Sequence, residues 1–255
     1  PGLHAGARDT SWRADSWQQV QQHKGGEITV LWCDIEPFIY LRKDSLTGVE
    51  YELMQAFPAF LKEQYGVNVK INWVRMPTFE SIYPTIKQSK QQGLFALSYF
   101  SITDERKKEV RFAPPYMPDL NVIVTGNDVP VYEKDIDFIH NLGKMKGYTM
   151  RQSTMEEDMK KLLHYSPQTP LTVLPDDYAV MNQVAEYRNA FGYVPLSIYI
   201  VALQRGVKVK RQKVLTARRE GLAAVYTQSS DWTQPVNAYF TSEACRRLTD
   251  RLVHK

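Results

Sequence analysis

Gly93-Leu-Phe-Ala-Leu-Ser98-Tyr99-Phe100-Ser101-Ile-Thr103-Asp104-Glu-Arg106-Lys-Lys-Glu-Val110-Arg-Phe-Ala-Pro-Pro115-Tyr116 carries more legible chemistry than any other stretch of this 255-residue sequence. An apolar run ends at Ser98-Tyr99-Phe100, as a buried strand does. Ser101-Ile-Thr-Asp104 then has the S-x-x-D form of a capping box, and Arg106 falls one turn into the helix it would start. A strand end feeding a helix start is a ready anion site, because unpaired N–H groups point outward there. A hydroxyl and a guanidinium added to it can hold a carboxylate by charge-assisted hydrogen bonds, each contributing about 1.5–3 kcal/mol. The plain alternative is that Ser101 only caps a helix and Arg106 is a surface charge, and spacing alone leaves both open.

Upstream, Glu27 to Cys33 is a β-branched apolar run after Gly25-Gly26 and predicts a strand. Leu53, Met54, Phe57, Phe60 and Leu61 recur at helical spacing over Glu50–Gln64, with Pro58 expected to kink or end a turn and Gly66 as C-cap. Val67–Val74 alternates with period two, Phe79–Lys90 reads as a helix, and Leu120–Thr125 as a strand. Residues 27–125 therefore read β-α-β-α-β-(short α)-β, an α/β sheet with helices on its faces. A connecting segment and helix over Pro130–Leu142 lead to a smaller α/β set: strands at Lys146–Gln152 and Leu171–Leu174, helices at Glu156–His164 and Tyr178–Tyr187. Pro195–Leu203 reads as a long apolar strand, and the remainder as mostly helical. Residues 1–25 are polar and weakly patterned, a tail or a surface helix.

Composition bounds the function. With 43% hydrophobic and 24% charged residues, the chain is rich enough in apolar groups to build a core and is not a disordered polymer. No apolar run reaches the ~20 residues of a membrane span. A net charge of +4 is too small to suggest a nucleic-acid partner. The basic stretch Lys208, Lys210, Arg211, Lys213, Arg218 and Arg219 is either a phosphate patch or a solvated helix face. Cys33 and Cys245 form no C-x-x-C, so zinc and redox motifs fail; a disulfide between them needs an oxidising compartment, and Cys33 alone reads as a buried thiol. No metal and no cofactor is expected. A start at Pro1 without a methionine is compatible with a removed export signal.

Four features together resemble the family 3 extracytoplasmic solute-binding proteins, the amino-acid-binding type of periplasmic binding protein. They are Pro37-Phe38 followed by Thr47-Gly48-Val-Glu-Tyr-Glu52-Leu; Trp73 with Phe79-Glu-Ser-Ile-Tyr-Pro84; Ser101 to Lys108; and Val110-Arg-Phe112-Ala-Pro-Pro115-Tyr116. The likeness runs from about Gly26 to Val124 and more weakly to Gly206. It implies a type II, two-lobed α/β fold, each lobe a sheet flanked by helices, joined by two crossover strands. Lobe 1 would be residues 26–123 and 197–255, lobe 2 residues 124–196, with the crossovers near Val122–Thr125 and Pro195–Ile200.

The resemblance also implies an interlobe ligand cleft. Arg106 matches the arginine that grips a ligand α-carboxylate and Ser101 the hydroxyl beside it. Tyr99 stands where the family has Gly or Ser, and Phe79 matches an aromatic that packs on the ligand. Ser153 and Thr154 match a second carboxylate contact, with Gln152 in place of the usual Gly. Asp176 matches the acid that pairs with the α-ammonium, Asp177 being the alternative by one register; as residues they equally suit an N-cap. Trp32 and Ile35 replace an acid and an aromatic, which argues against a basic-amino-acid pocket, although Asp34 and Glu36 lie close by in sequence.

The resulting expectation is a non-catalytic, monomeric receptor, periplasmic or otherwise extracytoplasmic and compatible with a lipid anchor. It captures an amino acid or similar zwitterion for the membrane permease of an ABC transporter. Two other readings share the module: a regulatory or sensing domain of a lytic murein transglycosylase or sensor kinase, and a cyclohexadienyl-dehydratase-like enzyme. The last needs a placed acid or base, and none of His4, His23, His140, His164 and His254 falls in a recognised cleft segment.

Overall fold

A computed structural model of the protein describes residues 12–253. The chain forms two compact units: unit 1 runs to Pro118 and resumes at Glu220, and unit 2 is Asp119–Arg219. Among the described residues no helix is long and apolar enough to cross a membrane.

Unit 1 opens with α1 (Trp17–His23), whose N-terminus is closed by a reciprocal capping box between Ser16 and Gln19. β1 (Gly25–Trp32) follows, then a hairpin of β2 (Tyr40–Arg42) and β3 (Ser45–Thr47). The helix expected over 50–64 is two, α2 (Val49–Gln55) and α3 (Phe57–Tyr65), broken at Ala56 because Pro58 fits only a first turn. Gly66 ends α3 at φ 65°. Next come β4 (Asn68–Arg75), α4 (Phe79–Gln88), β5 (Leu94–Ser101), α5 (Asp104–Lys107), β6 (Val110–Phe112) and β7 (Met117–Gly126), within which the chain enters unit 2. The sheet of unit 1 runs β4-β1-β5, all parallel, and is then joined by the returning strand β12 (Ala217–Thr227), antiparallel to β5 and β6. Position in the sheet explains the sequence patterns. Every residue of β5 is buried, hence its unbroken apolar run, whereas β4 at the sheet edge keeps the alternation of a half-exposed strand.

Unit 2 holds α6 (Asp135–Asn141), β8 (Lys146–Met150), α7 (Thr154–Leu163), β9 (Leu171–Leu174), α8 (Asp177–Glu186), β10 (Ala190–Pro195), α9 (Leu196–Gln204) and β11 (Val209–Arg211). Its strands run β7-β10-β8-β9; β10, β8 and β9 are mutually parallel, and β10 and β11 are each antiparallel to β7. Phe138 and Phe191 meet edge to face in its core at 5.7 Å. The chain returns to unit 1 within β12, before α10 (Thr233–Phe240) and α11 (Glu243–Val253) complete it.

Four expectations are corrected. Pro195–Leu203 is helix, not strand, from Leu196 onward: an apolar run without periodicity suits either state. Residues after Gly206 are not mostly helical, since β12 is the longest strand in the described chain, its charged start hiding an apolar second half. In consequence the second passage between units lies at 219/220 rather than 196/197, and the first at 118/119 rather than 123/124. The basic stretch lies on β11, a loop and the start of β12, so it is no helix face. Of the two readings of residues 1–25, a tail or a surface helix, the described part forms the helix α1, fastened to unit 1. Trp17 and Val20 are buried, Asp231 accepts the Trp17 and Gln18 N–H groups at 2.8 and 3.0 Å, and the Trp232 indole donates to Asp15 O at 3.0 Å.

Trp232 is fully buried among Trp17, Phe57 and Phe95. Trp232→Ala is expected to cost about 3–5 kcal/mol in denaturant unfolding; a loss below about 1 kcal/mol would show that the N-terminal helix is not packed on it.

Candidate functional site

In unit 1 the parallel strands β1, β4 and β5 end side by side, the edge at which open α/β sheets bind ligands. The end of β5 is irregular. Ala96 pairs with Val225 and Phe100 with Ala223, so β5 spends four steps where β12 spends two. The excess forms a bulge over Leu97, Ser98 and Tyr99. Tyr99 has φ 40°, a left-handed conformation that costs a side-chain-bearing residue about 1–2 kcal/mol. Its ring is held by stacking on Phe38 (4.9 Å, 8°) and by a tilted contact with Phe79 at 5.5 Å. Ser98 shares a 3.1 Å contact with the buried thiol of Cys33, which burial pushes up to about 11.

Ser101 is the last residue of β5, and the α5 cap is Thr103, whose hydroxyl accepts the Arg106 N–H at 3.2 Å. The expected Ser101 capping box is thus displaced by two residues: Ser101 still pairs in the sheet with Leu222 and cannot adopt the cap position. Its carbonyl accepts from Arg106 Nη1 at 3.0 Å. The guanidinium lies over the rings of Tyr83 and Phe100, at 5.4 and 5.9 Å. Tyr83 in turn donates to Glu109 at 2.5 Å. Phe79 packs on Phe100 at 5.4 Å. Unit 1 therefore brings Phe79, Tyr99, Ser101 and Arg106 together around Phe100. A planar guanidinium held by a backbone carbonyl beside aromatic faces is suited to a carboxylate carried on a small organic molecule.

The nearby acids are already matched to cations. Asp34 pairs with Arg75 at 3.0 Å, and Glu36 lies 3.9 Å from Arg42. Trp32 is buried, its indole N–H has no hydrogen-bond partner, and Arg75 sits over its ring at 5.6 Å.

The sequence reading passed over Glu50. It is 1% exposed, on the buried face of α2 with Leu53 and Met54. Oε1 accepts the Tyr99 N–H at 2.9 Å and the Tyr116 hydroxyl at 2.8 Å, while Oε2 is buried without a partner. Burial pushes this carboxyl up to about 7, against the opposing pull of the bonds from Tyr116 and Tyr99. The available signal was its place three and four residues before Leu53 and Met54, which puts a carboxylate on an apolar stripe.

In unit 2 the parallel strands β8 and β9 also end together, the Arg151 N–H bonding Leu174 O at 2.9 Å. Ser153 caps α7: its hydroxyl accepts from Glu156 N at 3.2 Å and donates to Met150 O at 2.7 Å. Gln152, standing for a glycine, has φ 53°, and its N–H donates to Glu156 Oε2 at 2.7 Å. Thr154 is buried and its hydroxyl accepts from Asn121 at 3.2 Å. Asp176 caps α8 by accepting the Ala179 N–H at 2.8 Å, and Asp177 is fully buried. Ser153, Thr154 and Asp176 are thus neighbours at one sheet edge, each with a structural bond of its own. Behind α7 a bidentate pair, unforeseen in the sequence, joins Arg219 to Asp158 at 2.8 and 2.9 Å, and Asn121 donates to the same carboxylate at 2.9 Å.

A cavity of about 330 Å³ in unit 1 is lined by Ile102, Lys107, Val110, Ala113 and Glu220 and touches none of these candidates. Among the described residues no three of His, Cys, Asp and Glu converge as a metal site, and the two cysteines are not bonded to each other. His23, His140 and His164 are exposed; His4 and His254 lie outside the described residues.

The match to a family model places the chain: it belongs to the bacterial extracellular solute-binding proteins, family 3, over residues 28–242. Solved structures share the fold. An ancestral arginine-binding protein bound to arginine superposes with a TM-score of 0.72 at 18% identity, covering 89% of this chain and 96% of its own. The arginine-, lysine-, histidine-binding protein ArtJ of Geobacillus stearothermophilus gives 0.68 at 16%, covering 89% and 96%. The ancestral amino-acid-binding protein AncCDT-1, described as a precursor of cyclohexadienyl dehydratase, gives 0.69 at 20%, covering 93% and 96%. Comparison with curated protein sequences gives no match.

Glu50 gives this site a pH signature. Its folded value, about 7, lies above the ordinary 4.5, so the folded state binds the proton more tightly than the unfolded one. The stability this contributes is complete below pH 4.5 and is lost as pH rises through about 7. The neighbouring Cys33 thiol, pushed up to about 11 by burial, stays neutral in that window. Glu50→Gln keeps the accepting oxygen and removes the titration. Relative to wild type, E50Q is expected to gain about 2–3 kcal/mol between about pH 5 and pH 8 in denaturant unfolding; parallel curves for the two proteins would contradict it.

Proposed function

We propose that this chain is a periplasmic or otherwise extracytoplasmic receptor that captures an amino acid or a similar small zwitterion and delivers it to the membrane permease of an ABC-type transporter. One observation carries the reading: the Arg106 guanidinium, oriented by the Ser101 carbonyl over two aromatic rings, stands at the ligand-binding edge of a parallel sheet. Family membership and structural neighbours described as arginine- and amino-acid-binding support it. Arg106 takes the α-carboxylate, Phe79 and Tyr99 pack on the ligand side chain, and Ser153, Thr154 and Asp176 of unit 2 take polar contacts, the Asp176 carboxylate receiving the ammonium. With Asp34 and Glu36 on cations of their own, the unit 1 residues offer a side chain aromatic faces, so an apolar or aromatic amino acid suits them better than a basic one.

The protein acts as a monomer and is not an enzyme. Catalysis requires an acid or base that reaches the substrate. Glu50, whose carboxyl burial pushes up to about 7, is closed beneath Tyr99 and Tyr116. The likeness to a dehydratase precursor makes release of an aromatic keto acid from prephenate or arogenate the matching assay, with no turnover expected.

Arg106→Ala should weaken amino-acid binding by about 100-fold or more in calorimetry, the effect of losing two charge-assisted bonds. The melting temperature of the ligand-free protein should stay within about 3 °C. A thermal-shift screen of the twenty amino acids, small peptides and muropeptides supplies the ligand. Undiminished affinity in the variant would reduce Arg106 to a surface residue. A shift with muropeptides alone would favour a regulatory domain of a larger protein over a transport receptor.

A further inference from the structure

We infer that Glu50 is a positioning residue of the ligand site: its carboxylate fixes the β5 bulge and thereby holds in register the Ser101 carbonyl that orients Arg106. The inference rests on Arg106 being the ligand grip, and it concerns what keeps that grip in shape.

The sheet leaves hydrogen bonds unmade at the bulge. A bulge removes its residues from the ladder, and an N–H turned away from the partner strand needs another acceptor. For Tyr99 that acceptor is Glu50 Oε1 at 2.9 Å. On the facing strand the Ala224 carbonyl, opposite the bulge, accepts instead from Ala113 at 2.9 Å. The segment this anchors, 113–116, ends in Tyr116, whose N–H bonds Leu222 O at 3.0 Å and whose hydroxyl reaches the same Glu50 oxygen at 2.8 Å. One carboxylate oxygen therefore ties together α2, the bulge and the strand-to-strand connection that borders it. Immediately after the bulge, Phe100 and Ser101 rejoin β12, and Ile102 N bonds Gly221 O at 3.0 Å. The Ser101 carbonyl is two residues from the pinned amide, with no flexible link between them.

The placement of Glu50 is itself enforced. α2 follows the N-cap Gly48, whose φ of 116° suits glycine and where a Cβ would meet Phe38 O at 2.3 Å. That close approach lets the Glu50 N–H bond Phe38 O at 2.8 Å. Phe38 is the ring on which Tyr99 stacks, so side chain and backbone of Tyr99 are fixed by adjoining parts of one turn. A residue serving only to fill space at position 50 would be apolar. A buried carboxylate whose second oxygen has no partner is costly, and it is explained by what the first oxygen holds.

The test compares wild type, E50Q, which keeps an acceptor oxygen, and E50A, which does not; E50D, too short by one methylene, replaces E50A if that variant fails to fold. Amide hydrogen exchange is measured on the ligand-free proteins, so this arm is independent of any ligand. In E50A the amides of Tyr99–Ser101 should exchange at least about tenfold faster than the change seen in β1, the signature of local opening. E50Q should stay near wild type. Calorimetry with the best amino acid from the screen should give an affinity about tenfold or more weaker in E50A and within about threefold of wild type in E50Q. Exchange that rises equally in β5 and β1 would overturn the inference, as would E50A with wild-type affinity or E50Q behaving like E50A. If no amino acid binds wild type, the reading of Arg106 fails while the exchange arm still decides the role of Glu50.

Discussion

The hydrogen bond from the Tyr99 amide to Glu50 is the contact on which the unit 1 half-site depends. A parallel sheet built from β4, β1 and β5 brings strand ends together, but a regular strand would carry its alternation past that point unchanged. The bulge breaks the alternation, and a left-handed tyrosine is an unfavourable way to build it. What offsets the strain is local: ring stacking on Phe38 and the acceptor on α2. With the bulge fixed, Ser101 O and the rings of Tyr83 and Phe100 define where the Arg106 guanidinium lies. Sterics, burial and electrostatics thus converge on one side chain rather than contributing separately.

Unit 2 solves a related problem differently. Its two helix starts at the sheet edge are satisfied from within, by Ser153 and Glu156 on α7 and by Asp176 on α8. A helix N-terminus already capped by its own carboxylate has less positive potential to offer an anion. The polar groups there are the Ser153 and Thr154 hydroxyls and the Asp176 carboxylate, and the Asp158–Arg219–Asn121 cluster stands behind α7.

Much of the fold was legible because strong local signals agree with it. The alternation of Val67–Val74, the capped helices and the apolar run of β5 each report burial directly. The misreadings share a cause: composition fixes burial better than it fixes backbone state. Leu196–Gln204 is apolar on every side of its sequence pattern, so strand and helix were indistinguishable. In β12 the charged residues 218–220 masked a strand whose pairing partners lie more than a hundred residues away. Arg106, Ser101, Tyr99 and Phe79, expected from the resemblance, lie together around Phe100 in unit 1. The backbone role of Ser101 and the cap at Thr103 were not legible, because S-x-x-D and T-x-x-R describe the same loop two residues apart. Glu50 was missed because a single acid in a surface-like helix is ordinary until a long-range partner, 49 residues on, gives it work.

The central claim is that Arg106 is held ready for a ligand carboxylate. A crystal structure with an amino acid bound addresses it most directly. The account predicts the ligand carboxylate within hydrogen-bond distance of the Arg106 guanidinium, with the Ser101 carbonyl bond retained. A bound amino acid whose carboxylate lies against other side chains, away from Arg106, would contradict it.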